Sequence, residues 1–153
     1  MRRSSLPFAL ALLLGACGTP TGPGHHTDLP TPTWTDVGAE VMEVGGTTRT
    51  SIDLSRTARA DGGAVRTVSR LAFIPPRTDA RSGLVYDALE YDQEMDCAGS
   101  RVRVLGVRSY RDGAEVDRGG AVMNGMAMQA EGMTRQALER ACAFVGAQAS
   151  PPR

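Results

Sequence analysis

Few side chains in this sequence could carry out acid–base, nucleophilic or metal chemistry. The two histidines, His25 and His26, are adjacent, and the three cysteines lie far apart at Cys17, Cys97 and Cys142. Imidazole and thiol are the groups that most often act near neutral pH or ligate metals. Both histidines precede the predicted folded domain, and the chain shows no Gly-rich phosphate loop and no nucleophile elbow. The sequence therefore predicts a protein that is not an enzyme.

A second group with chemical potential is a cluster of methionines. Four of the seven methionines lie within 11 residues, at Met123, Met126, Met128 and Met133. Soft thioether sulfurs at such spacing can hold Cu(I) in an exported protein. Methionine also fills irregular gaps in a core, and the nearby glycines are typical of a loop packed on a sheet. We expect core packing, with Cu(I) binding as the alternative, and we expect no other cofactor.

A column of carboxylates predicts a half-buried strand. Acidic residues alternate with mostly apolar ones between positions 89 and 97, the pattern of a strand with one buried and one solvated face. The acidic positions are Glu90, Asp92, Glu94 and Asp96. Such a column could bind calcium or do acid–base work, but arginines on a neighbouring strand would neutralise it as cross-strand pairs. We expect the ion pairs.

The arginines come from the second arm of a hairpin whose turn is Ala98-Gly99. Paired positions then sum to 197. The resulting pairs are Asp96 with Arg101, Met95 with Val102, and Glu94 with Arg103. This register joins charge to charge and apolar to apolar residues, whereas a slip by one residue would turn charges toward the core.

Residues 1–16 have the pattern of an export signal. The apolar run from Leu6 to Leu14 follows two arginines and is too short to span a membrane, which takes about 20 apolar residues. The sequence Leu14-Gly15-Ala16-Cys17 resembles the box of bacterial lipoproteins, and this resemblance implies a covalent lipid on Cys17. Gly18 at the next position implies, by the same resemblance, sorting to the outer membrane.

Residues 17–33 are predicted to form a tether. Pro, Gly and Thr make up 12 of the 16 residues after Cys17, a composition that builds no core. An extended Pro-rich segment of this length would reach up to roughly 50 Å. His25 and His26 lie in it, and an adjacent pair without a third ligand is expected to be solvated. The folded domain is expected over residues 34–148, with a tail at 149–153.

Turn signals divide this domain into short strands. We expect strands over Val37–Val44, Arg49–Leu54, Val65–Phe73 and around Ala114–Val116, the third one stopped by Pro75-Pro76. No helix-length segment lies between these strands, so the sheet is expected to be antiparallel. With the two arms of the hairpin it has about six strands.

The last element is predicted to be a helix that packs on one face of the sheet. Thr134 is expected as its N-cap and Gly146 as its end. Its apolar face consists of Ala137, Leu138, Ala141, Cys142 and Val145. Cys142 then faces the sheet, and Cys97 lies on the buried face of the hairpin. In an exported protein we expect these two to form a disulfide, with a redox or metal-binding pair as the alternative. The fold class is therefore α+β.

Charge narrows the class of partner. The chain has 17 arginines, no lysine and 17 acidic residues among 153 residues, and removal of residues 1–16 leaves 15 arginines against the same 17 acids. A neutral to slightly acidic domain lacks the basic surface that displaces counterions from phosphate. We therefore expect no nucleic-acid partner.

A series of ordered motifs spans residues 34–143. Its members are Trp34, the strand Thr50–Leu54, the segment Tyr91–Cys97, the segment Arg101–Leu105, Tyr110 with Asp112-Gly113, and Cys142. In order and spacing they resemble the surface-adhesin protein E-like domain of bacterial lipoproteins. The resemblance implies an antiparallel sheet joined to a C-terminal helix by a disulfide, a homodimer, and adhesion to host extracellular matrix proteins.

Two functions are consistent with these features. The first is an outer-membrane lipoprotein, attached through its lipid, that acts as a non-catalytic binding module for a protein partner or host surface. The second is a structural or accessory lipoprotein that faces the periplasm. Both place the protein in the cell envelope, and surface accessibility on intact cells separates them.

Overall fold

A computed structural model describes residues 31–43, 45–120 and 125–149. The predicted signal segment, the lipid box with Cys17, the two histidines and Met123 lie outside the described residues. So do most of the predicted tether and residues 150–153 of the predicted tail. No helix among the described residues is long and apolar enough to cross a membrane.

The described residues form seven strands and one α-helix. The strands are β1 (Trp34–Val41), β2 (Thr47–Arg59), β3 (Val65–Thr78), β4 (Val85–Asp96), β5 (Arg101–Arg111), β6 (Ala114–Gly120) and β7 (Ala127–Gln129), and the helix α1 is Gly132–Gln148. The strands form one antiparallel sheet in the order β1-β2-β3-β4-β5-β6, and the short β7 pairs with β5 beside β6. The predicted α+β class and antiparallel sheet are confirmed.

The main core lies between α1 and one face of the sheet. The helix packs chiefly on β1, β2 and β3. The buried core side chains are Val37, Ile52, Val65, Met95, Val102, Ala130, Ala137, Leu138, Ala141 and Val145. The helical members repeat at the spacing of one helix face, as the sequence predicts, so this face drives docking through apolar burial.

The hairpin of β4 and β5 has the predicted register next to its turn. Glu94 pairs with Arg103 and Met95 with Val102, as expected from the fit of charge and apolar residues. Farther from the turn the register shifts by one residue between Asp92 and Gln93. This bulge was not predicted, because a bulge leaves the alternation of charge and apolar residues in β4 intact.

The expectation that Pro75-Pro76 stops the third strand is wrong, since β3 continues to Thr78. Pairing of β3 with β2 ends at Ile74, and its pairing with β4 is irregular between Ala72 and Arg77. The prolines therefore occupy a stretch where no regular ladder needs their missing N–H groups.

The predicted ends of the helix are also wrong. The N-cap is Glu131 rather than Thr134, and the helix passes through Gly146 to Gln148. Met133, in the added first turn, packs against the core, and this contact favours the earlier start. A glycine at helical backbone angles costs only about 1 kcal/mol relative to alanine, which is too little to end a docked helix.

Candidate functional site

The helix leaves part of its side of the sheet uncovered. An α-helix is about 10 Å wide and strands lie about 4.8 Å apart, so one helix covers two to three strands. Here α1 lies over β1 to β3. On this face Met95 of β4 and Val102 of β5 still belong to the core, next to the hairpin turn. Farther from that turn, no helix among the described residues covers β4, β5 and β6, and two adjoining hollows lie along them.

These hollows form one concave surface, which we call the helix-side groove. The first has a volume of about 480 Å³ and the second about 330 Å³. They share Tyr91, Val104 and Met128. The first extends over β4 to β6 past Leu89 and Val107, and the second reaches the N-terminal half of α1. Most of the lining is apolar, as in sites that bind ligands or partner side chains.

Polar side chains interrupt the apolar surface of the groove at many points. The Tyr91 side chain lines both hollows, and burial, followed by the nearby Tyr86, raises the pKa of its phenol. Tyr91 therefore stays neutral and can donate a hydrogen bond. Deeper in the second hollow, the Ser69 hydroxyl donates to Gln93 Oε1 at 2.8 Å.

The charged residues around the groove have one sign. Asp79 and Asp117 line the first hollow and Glu131 the second, and no basic residue among the described ones lines either. The backbone N–H of Ser82 and its hydroxyl donate to Asp79 Oδ1 at 2.7 and 2.8 Å, and these bonds lower the pKa of Asp79. The charged side chains among the described lining residues are thus all acidic.

The opposite face of the sheet is polar, with Glu90 at its centre. The Glu90 carboxylate lies 3.6 Å from Arg70 and 3.5 Å from Arg108, and it accepts a hydrogen bond from the Tyr110 hydroxyl at 3.2 Å. The pKa of Tyr110 is raised, chiefly by burial and next by the Glu90 charge. Sequence alternation predicts a solvated Glu90, and this is wrong because flanking arginines and Tyr110 cover it to 4% exposure.

Arginine–aromatic stacking extends this network to the first strand. The Arg70 guanidinium lies 5.7 Å from the centre of the Trp34 ring and 5.5 Å from that of Tyr110. Arg56 lies 5.5 Å from the Trp34 ring as well. Such cation–π contacts stabilise by about 0.5 to 2 kcal/mol each. They fix the start of β1 to the middle of the sheet.

Asp53 lies beside this stack and has no exposed surface. Its carboxylate accepts hydrogen bonds from the backbone N–H groups of Thr33 and Ser55 at 3.2 and 3.0 Å, and it pairs with Arg56. Burial by itself raises the pKa of Asp53, but the hydrogen bonds from Ser55, Arg56 and Thr33 outweigh it and the pKa is lowered. Sequence analysis did not single out Asp53.

The predicted acidic column serves as a set of structural partners. Glu94 pairs with Arg103, and Asp92 with Arg108 at 3.0 Å. Asp96 lies opposite Arg101, but its carboxylate accepts from the turn N–H groups of residues 98 and 99, each at 3.0 Å. Across residues 31–43, 45–120 and 125–149, no group of three or more acidic, His or Cys side chains is placed to hold a metal ion.

Of the other predicted site residues, the two cysteines are brought together and the described methionines are not. Cys97 and Cys142 are joined as a disulfide between the hairpin turn and α1, with Cα atoms 5.9 Å apart. Met126 is exposed, Met128 lines the groove, and Met133 packs against the core near Gly38. The three described methionines thus occupy three different surroundings.

Sequence analysis missed the groove, although the sequence contained a signal for it. The strands carry more apolar positions on one face than a single helix can cover, and Leu89, Tyr91, Val104 and Val107 belong to that excess. Comparison of the sheet width with the helix width would have shown that some part of this face stays uncovered.

Comparison of this chain with known proteins identifies no relative. No family model, no curated protein and no solved structure matches this chain. The resemblance to the surface-adhesin protein E-like domain therefore stays a prediction.

Proposed function

We propose that this protein is a lipid-anchored envelope lipoprotein whose domain is a non-catalytic binding module. The observation that carries the proposal is the helix-side groove, an apolar concavity of about 480 Å³ with an adjoining one of about 330 Å³. Clefts of this volume with mostly apolar surface and a few polar groups are typical of binding sites. The partner is a protein that inserts apolar side chains between α1 and β6.

The lining of the groove suits binding. Buried apolar walls supply affinity, and the phenol of Tyr91 offers one directional contact for orientation. The opposite face suits it less, because its charged groups are mostly paired with one another in the Glu90 network.

Cross-linking tests the groove. A photoreactive benzoyl-phenylalanine is placed at Val107 within the groove, and at Arg66 on the opposite face as the control. After illumination of intact cells, we expect a protein adduct from position 107 and none from position 66. The adduct should disappear when Gly119→Leu narrows the groove. Equal adducts at both positions would place the binding surface elsewhere.

The anchor rests on the lipid box and on the short apolar run before Cys17. Metabolic labelling with an alkyne fatty acid should mark the wild-type protein, which should sediment with membranes. Cys17→Ser should lose the label and leave the membrane fraction, because several acyl chains are needed for stable attachment. Retention of the variant on membranes would contradict lipid anchoring.

Orientation separates the two versions of this function. An adhesin for host or matrix proteins must face the cell exterior, whereas an accessory lipoprotein faces the periplasm. Protease added to intact cells should digest the domain in the first case and spare it in the second. Digestion only after the outer membrane is permeabilised would establish the periplasmic version.

A further inference from the structure

We infer that the partner binds as an extended basic segment, which adds to the edge of β6 and inserts alternate apolar side chains into the helix-side groove. This inference rests on the proposed function and specifies the chemistry and conformation of the partner. Three independent features of the described residues support it: the charge of the rim, the free edge of β6 and the small residue in the wall between them.

The rim selects for positive charge. Asp79, Asp117 and Glu131 are the charged residues of the two hollows, and the described lining includes no arginine although the chain has 17. An anionic rim around an apolar surface favours partners with Lys or Arg next to apolar residues, and it repels acidic ones. The hydrogen bonds from Ser82 lower the pKa of Asp79 below its ordinary value, which already leaves the carboxylate ionised at neutral pH.

The edge of β6 offers backbone groups. Among the described residues β6 pairs only with β5, so its other side is the border of the sheet. Residues 114–118 of β6 are all exposed. A free edge presents unpaired N–H and C=O groups, and an extended peptide can add to it as a further strand.

Gly119 connects the edge to the groove. Asp117 and Gly119 both line the first hollow, as expected for residues two apart in a strand. A Cβ placed on Gly119 would meet no described atom within 4 Å. Because Gly119 has no side chain, the wall of the groove along β6 is lowest at this residue. Side chains of an added strand can pass over it into the groove, while a basic residue beside Asp117 forms a cross-strand pair.

The first test is selection of random decapeptides displayed on phage against the purified domain. We expect the enriched peptides to carry Lys or Arg two positions from an apolar residue, because Asp117 and Gly119 line the same hollow. Enriched peptides that are acidic or neutral would overturn the inference. If those peptides still compete with the Val107 cross-link, the proposed function stands without the basic partner. A selection without enrichment would count against both.

The second test measures the Kd of the best selected peptide. Asp117→Asn combined with Glu131→Gln should raise the Kd about fivefold at low salt, because each rim charge contributes a modest screened attraction. The charge-matched control is Asp61→Asn with Glu139→Gln, two exposed acids outside the groove, and it should leave the Kd unchanged. Equal effects of the two pairs would overturn the rim argument.

The third test examines the edge. Binding of that peptide should slow hydrogen exchange at alternate N–H groups of β6, since a strand addition hydrogen-bonds every second residue. Gly119→Val should weaken binding at least tenfold because it fills the low point of the wall. Unchanged exchange in β6 together with peptide-induced protection elsewhere would overturn strand addition.

Discussion

The Asp53 side chain has no exposed surface. Its carboxylate accepts hydrogen bonds from residues of both paired segments, before β1 and within β2. The Thr33 N–H comes from the residue before β1, and Arg56 comes from the irregular middle of β2. A buried carboxylate is stable only when such partners compensate for the lost hydration. Asp53 therefore makes the stability of this corner depend on its charge.

Asp53→Asn should lower the free energy of unfolding by about 3 kcal/mol at pH 7, because it leaves the mostly buried Arg56 without its partner. The folded-state pKa lies below the ordinary value of 3.8, so ionised Asp53 stabilises the fold above that pH. Its contribution decreases as the pH falls through the folded pKa. Urea unfolding at pH 7 and pH 3 should show a smaller difference between wild type and variant at pH 3. An equal difference at both would refute this linkage.

The disulfide gives a second prediction for single residues. Cys97 and Cys142 close a loop with a separation of 45 residues. In the chain-entropy model, its loss through Cys97→Ala with Cys142→Ala should cost about 4 kcal/mol of unfolding free energy. Reduced wild-type protein should unfold at the same urea concentration as the double variant. Alkylation of both thiols in protein isolated from cells without a reductant would show that the bond does not form there.

The sequence predicted an ion pair correctly where both residues lie in the same hairpin, as for Glu94 and Arg103. It failed for Glu90, whose partners come from β3 as well as β5. Burial of that carboxylate depends on Arg70 and Tyr110, which the sheet brings together from distant parts of the chain. No local alternation of residue types contains that information.

At the scale of elements, the helix α1 shows which residues of its sequence pattern contribute to stability. Leu138 is buried on the sheet side, and Leu138→Ala should lower the free energy of unfolding by 2 to 5 kcal/mol, roughly the range for buried leucines. Thr134 is exposed inside the helix and does not cap it, so Thr134→Ala should change stability by less than about 0.5 kcal/mol. Urea unfolding measures both, and a loss above about 1 kcal/mol for Thr134→Ala would restore its predicted capping role.

The strands explain which parts of the fold were predictable. Alternation and turn residues located each main strand, because they follow from the period of two in an extended chain. The continuation of β3 through Pro75-Pro76 could not be located in this way. It depends on where β2 and β4 stop pairing with β3, which is a property of three strands together.

At the scale of the whole molecule, one helix on a wide sheet produces two unlike faces. The helix side is apolar with an acidic rim, and the other side carries paired arginines and carboxylates. The sequence contains the apolar residues of the groove but not the position of α1. That position follows from packing against β1 to β3 and decides which apolar residues stay uncovered.

The uncovered groove should bind a neutral apolar dye in the native state. Nile red fluorescence should increase with the folded domain, and Val107→Gln should reduce the increase by about half, because it places an amide in the apolar wall. Val116→Gln is the matched control, since Val116 lies on β6 outside the groove. Equal reductions in the two variants would show that the dye reports general surface hydrophobicity.

The position of β1 also has a mechanical consequence. Residues 1–30 join the described chain just before β1, which is the outermost of the described strands on its side of the sheet. Traction from that end therefore acts on the ladder between β1 and β2 before it reaches the core. The ladder begins at Trp34 opposite Asp53, where Arg56 and Arg70 stack on the indole. A force applied at residue 31 must break these stacking contacts before it can separate β1 from β2. The domain therefore resists the force at the end of β1 where the force is applied.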